Sequence, residues 1–128
     1  MVSLDDLFGH EYIDEIRSMP EGIVKVAYLA ADPFLQVVLD CNEFNGSHVS
    51  QIVRNDEWKE KLEWIKGNYE TILESLGYQP THVAKIVRGA QWREKVEWIR
   101  TTAQDSHYTP AYVSRAMQKR DWRVKLAA

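Results

Sequence analysis

Two arginines, Arg54 and Arg88, stand 34 residues apart in the matching segments VRNDEW and VRGAQW. A planar guanidinium suits a carboxylate or a phosphate, so the pair can form a ridge facing an anionic partner. Each can equally serve as a cation at the negative end of a short helix. Trp64 and Trp98 each follow another tryptophan by six residues. They either pack between neighbouring units or stand partly exposed, where indoles often anchor interfaces. His48 and His82 recur at one position, but no carboxylate recurs beside them at a spacing that would complete a metal site, and they read as polar edge residues. Asp14-Glu15 and Glu60/Glu63 fall on amphipathic stretches and read as solvated faces. Cys41 is the only cysteine, so it forms no internal disulfide and reads as a small buried apolar residue. No nucleophile elbow, phosphate loop or zinc-binding helix motif occurs, and the six glycines are dispersed. The expectation is therefore a protein without catalytic residues, metal or cofactor.

The elements that position these side chains follow from an internal repeat. FNGSHVSQIVRNDEWKEKLEWIK, from Phe44, aligns without a gap on YQPTHVAKIVRGAQWREKVEWIR, from Tyr78. A third copy, YTPAYVSRAMQKRDWRVKL, starts at Tyr108, and a degenerate one starts at Phe8. Apolar residues recur at fixed offsets: Ile13, Ile16, Val26 and Leu29; Val49, Ile52, Leu62 and Ile65; Val83, Ile86, Val96 and Ile99; then Val113 and Ala116. Spacings of three and four place each set on a helical face. Trp58, Trp92 and Trp122 continue the second-helix stripe as core filler. Thr109-Pro110 and Asn45 supply helix starts, Gln79-Pro80 a weaker one, and Gly77 a helix end. Asp32-Pro33 interrupts or restarts the second helix of the first unit. On the outer face, Glu57–Lys61 and Arg93–Glu97 are opposite charges four apart. The expected fold is all-α: a single domain over residues 1–128, built as a short α-solenoid of about four stacked helix-turn-helix repeats, 30–36 residues in period and starting near 8, 44, 78 and 108. The terminal Lys125-Leu126-Ala127-Ala128 reads equally as vector-derived sequence or as native chain.

The 34-residue period, the helix-opening Thr109-Pro110 and the paired apolar residues three apart resemble transcription activator-like (TAL) effector repeats over roughly residues 8–126. That resemblance implies DNA reading by the turns, here Asn55-Asp56, Gly89-Ala90 and Lys119-Arg120, with Met19-Pro20 in the degenerate unit. The family's glycines after each variable pair are replaced by Glu57-Trp58, Gln91-Trp92 and Asp121-Trp122. A bulky indole beside a polar side chain does not suit close passage over a phosphate.

Charge is uneven within a net of −3. Residues 1–43 carry nine acidic and two basic side chains, whereas residues 44–128 carry ten acidic and fourteen basic. Residues 44–107 balance at nine of each, so they offer no basic stripe for DNA. The leading expectation is a non-enzymatic protein–protein interaction module, an adaptor or inhibitor, contacting its partner through Arg54, Asn55, Asp56, Arg88, Gln91, Trp64 and Trp98. The alternative is a nucleic-acid-binding repeat protein or helix-turn-helix regulator using Arg115, Lys119, Arg120 and Arg123 of the basic last unit. The acidic and basic ends also permit a homodimer. With no signal peptide and no apolar run long enough for a bilayer, a cytoplasmic location is expected.

Overall fold

The hydrophobic pattern asks for short helices joined by tight turns, and a computed structural model, which describes residues 3–127, contains helices and no strand among those residues. Ala128, the last of the residues open to a vector-derived reading, lies outside them. Contacts divide the chain between Gly67 and Asn68 into two compact units.

The first unit opens with α1 (Leu4–Phe8) and α2 (His10–Arg17), followed by α3 (Gly22–Ala31), α4 (Pro33–Cys41), α5 (Gly46–Val53) and α6 (Trp58–Asn68). The Asp32 side chain accepts the Leu35 amide at 3.0 Å, so Asp32-Pro33 ends α3 and starts α4. α2 packs on α3 and on α5, which brings the short helices of two successive hairpins together. The interior holds Phe8, Ile13, Ile16, Leu29, Leu39, Phe44, Val49, Ile52, Leu62 and Ile65, all buried. Fully burying one such aliphatic side chain contributes roughly 2–3 kcal/mol. Lys66 ties the edge of this unit, pairing with Asp32 and Glu63 at 2.8 Å each, while the Tyr28 hydroxyl donates to Glu63.

The second unit begins with a π-helical turn (Tyr69–Leu73), then α7 (Pro80–Val87), α8 (Trp92–Thr102), a 3-10 turn (Ala103–Asp105), α9 (Pro110–Met117) and α10 (Trp122–Lys125). α7 packs on α8 and α9, repeating the short-helix contact of the first unit. Val83, Ile86, Val96, Ile99, Val113, Met117, Trp122 and Leu126 fill its interior. Leu126 occupies in the fourth hairpin the place of Leu62 in the second. Gly77, at φ 87°, ends the chain reversal before Tyr78, a left-handed geometry that glycine adopts without steric cost.

Two expectations are corrected. Cys41 is exposed, because it ends α4 on the face away from the buried Leu35, Val38 and Leu39. Lys61 belongs to the inner face of its helix, not the outer one, and is 2 % exposed.

The recurring histidines have a structural task. His48 Nδ1 accepts the backbone N–H of Asn45 at 3.1 Å, and His82 Nδ1 accepts that of Gln79 at 3.1 Å. Each imidazole thus caps the start of its own short helix, and only a neutral ring can accept there. Burial holds both rings below the usual 6.5. The unfolded chain therefore takes up protons first, so this stabilisation is complete above pH 6.5 and is lost as pH falls below it. The melting temperature should fall between pH 7 and 5, and His48→Gln with His82→Gln, which keeps an acceptor but does not titrate, should flatten that fall. An unchanged slope in the double variant would remove the histidines from this role.

Candidate interaction site

Each hairpin turn spans four residues: Ser18–Glu21, Arg54–Glu57, Arg88–Gln91 and Gln118–Asp121. In the first three the last residue is left-handed, with φ of 58° at Glu21, 64° at Glu57 and 61° at Gln91. At Glu21 and Gln91 this twist turns the side chain toward the next hairpin of the same unit. Within the first unit Trp58 Nε1 donates to Glu21 Oε2 at 3.3 Å, and within the second Trp122 Nε1 donates to Gln91 Oε1 at 2.9 Å. The same bond thus joins successive turns in both units. The tryptophans are buried, at 6 % for Trp58, 5 % for Trp92 and 3 % for Trp122.

A lysine one residue before the spine position Leu62, Val96 or Leu126 recurs in all four hairpins: Lys25, Lys61, Lys95 and Lys125. The first three are at most 6 % exposed. Their ammonium groups tuck into the turns. Lys25 Nζ lies 4.0 Å from Met19 Sδ, and Lys95 Nζ lies 3.4 Å from where a side chain on Gly89 would begin. Met19 and Gly89 are equivalent turn residues. A cation there meets the negative end of the short helix, while its methylene stem stays in the core. Burial pushes all three amines below their ordinary value.

The turns of the two units differ in charge. In the first, a groove of about 280 Å³ is lined by Glu21, Glu57 and Glu60 against Lys59 alone, with Val24 and Trp58. In the second, a cleft of about 620 Å³ lies between the turns of the third and fourth hairpins. Lys85, Arg88, Lys95, Lys119 and Arg120 supply five cations to it, Gln91 and Gln118 supply amides, and no carboxylate lines it. Arg88 Nη2 donates to Gln118 Oε1 at 3.3 Å, linking its two sides. Residues 68–128 as a whole carry ten basic and six acidic side chains.

The expected contact residues divide accordingly. Arg88 and Gln91 line this cleft together with Lys119 and Arg120, so the structure brings members of both candidate sets to one place. Arg54 is exposed and reaches back to the preceding hairpin, with Nη2 on Glu15 at 2.6 Å and on Ser50 Oγ at 3.2 Å. Asn55 and Asp56 are exposed in its turn, and Asp56 raises the charge preference of Lys61 and Lys25. Trp64 is half-buried in the first unit. Trp98, also half-buried, lines a separate cleft of about 570 Å³ with Tyr108, Trp122 and Arg123. Arg123 lies 5.0 Å over the Trp122 ring, and neither it nor Arg115 lines the cationic cleft. Among the described residues no group of three or more histidine, cysteine or acidic side chains is placed to hold a metal ion. No single helix among them is long and apolar enough to cross a membrane. Comparison with protein-family models, with curated proteins and with solved structures gave no match.

Proposed function

We propose that the chain is a non-enzymatic interaction module, assembled from solenoid-type helical hairpins, that holds an acidic segment of a partner protein against the turn edge of its second unit. The observation that carries this reading is the cleft lined by five cations and no carboxylate. Cations gathered around one opening raise the local concentration of an anionic partner and orient it on arrival. Such a module would act as an adaptor, or as an inhibitor covering the segment it holds.

A second reading, a nucleic-acid-binding repeat protein, is favoured by Lys119 and Arg120 in a turn of a chain resembling TAL repeats. It is opposed by the acidic groove on the first unit's turn edge and by the net charge of −3. A titration with a glutamate-rich peptide and, separately, a duplex oligonucleotide discriminates them. The peptide is expected to bind, and to weaken by about tenfold or less between 50 and 200 mM salt, as a few ion pairs do. Tighter binding of the duplex, falling by about a thousandfold over that range, would instead assign the cleft to nucleic acid.

A further inference from the structure

Of the four equivalent lysines, three have a carboxylate facing them from a turn. Glu21 and Asp56 act on Lys25, Glu57 and Asp56 act on Lys61, and Asp121 lies 4.0 Å from Lys125. Lys95 is the exception. Its own turn, Arg88-Gly89-Ala90-Gln91, contains no acid, and the neighbouring turn contributes Lys119 and Arg120 to the same cleft. The single carboxylate acting on Lys95 is Glu94, which lines the separate cleft beside Trp98. Lys95 is 6 % exposed and lines the cleft. The third hairpin therefore lacks the anion that the other turns carry, at the place where the cleft opens.

We infer that this cleft takes a phosphoryl group carried as a monoester on the partner's acidic segment, with Lys95 as the anchor at its inner end and Arg88, Lys119 and Arg120 around it. The inference rests on the interaction reading above and specifies its ligand. A carboxylate brings one charge and two acceptor oxygens. A phosphoserine brings a charge near −2 and three acceptor oxygens, matching several convergent donors at once. Clustered cations are a recurring means of recognising phosphorylated and acidic segments.

The test uses the full chain and four probes: a glutamate-rich peptide with one phosphoserine, the same peptide unphosphorylated, inorganic phosphate, and a duplex oligonucleotide. The phosphopeptide is expected to bind about tenfold or more tighter than its unphosphorylated form, the gain of one well-made charge-assisted contact. Inorganic phosphate should compete with it. Lys95→Met, which keeps the buried stem, should reduce the preference to about twofold, with a smaller loss of affinity for the unphosphorylated peptide. Should Lys95→Met lose helical signal, Lys119→Ala with Arg120→Ala, both exposed, must shrink the same preference. Equal binding of the two peptides would overturn the phosphoryl inference and leave the interaction module standing. Failure of both peptides to bind would overturn the module itself. Displacement of the phosphopeptide by substoichiometric duplex would overturn the monoester assignment in favour of a nucleic-acid backbone.

Discussion

Gly46→Ala should cost the first unit roughly 3 kcal/mol, enough to shift its unfolding midpoint far below that of the parent. Gly46 opens α5 where that helix crosses the junction of α1 and α2. A methyl there would stand 1.9 Å from the Phe8 carbonyl oxygen and 2.5 Å from the Tyr12 ring. The Phe8 atom belongs to the backbone, so no rotamer change relieves the overlap, and the contact between the first two hairpins must open. Intrinsic propensity points the other way, favouring alanine over glycine in a helix by about 1 kcal/mol, and is too small to compensate. Gly67→Ala provides the control. That glycine lies in α6 with nothing within 4 Å of an added methyl, so the same substitution should stabilise by roughly 0.5–1 kcal/mol. Urea unfolding followed by far-ultraviolet circular dichroism separates the two, and a Gly46→Ala protein as stable as the parent would mean that α5 does not approach α1 and α2 in this way.

How much of this was readable in the sequence depended on whether a residue's role was local. The buried positions Val49, Ile52, Leu62 and Ile65 recur at the same offsets as Val83, Ile86, Val96 and Ile99, and a helical face needs only that spacing to declare itself. The caps at Asn45 and Thr109 were equally legible, because each acts on an amide three residues on. The left-handed Glu21, Glu57 and Gln91 were not, since that conformation normally favours glycine and these side chains give no sign of it. Lys25, Lys61 and Lys95 were missed for a different reason. Charge suggests solvent, and the recurrence of a lysine at this position does not settle it, since Lys125 of the shortened hairpin is exposed. The site itself was half legible. Arg88 and Gln91 stood out on one pattern and Lys119 and Arg120 on another, yet their meeting in one cleft depends on α7 packing against α9, which no local spacing encodes.

The largest expected effect on binding comes from removing the exposed cations together. Arg88, Lys119 and Arg120 belong to two turns, lie outside the buried spine and are exposed, so Arg88→Ala, Lys119→Ala and Arg120→Ala combined should leave the helical signal nearly intact. Each contributes about 0.5–1 kcal/mol if its contact stays solvated, and more where a partner's anion is drawn into the cleft. The sum corresponds to a loss of about thirtyfold in affinity. Arg54→Ala, which removes a contact within the first unit instead, should change binding by less than about twofold. Calorimetric titration of the glutamate-rich peptide into the parent, the triple variant and Arg54→Ala therefore addresses the central claim most directly. A loss confined to the triple variant is the predicted result; equal affinities in all three proteins, each still folded, would contradict the assignment of partner binding to the turn edge of the second unit.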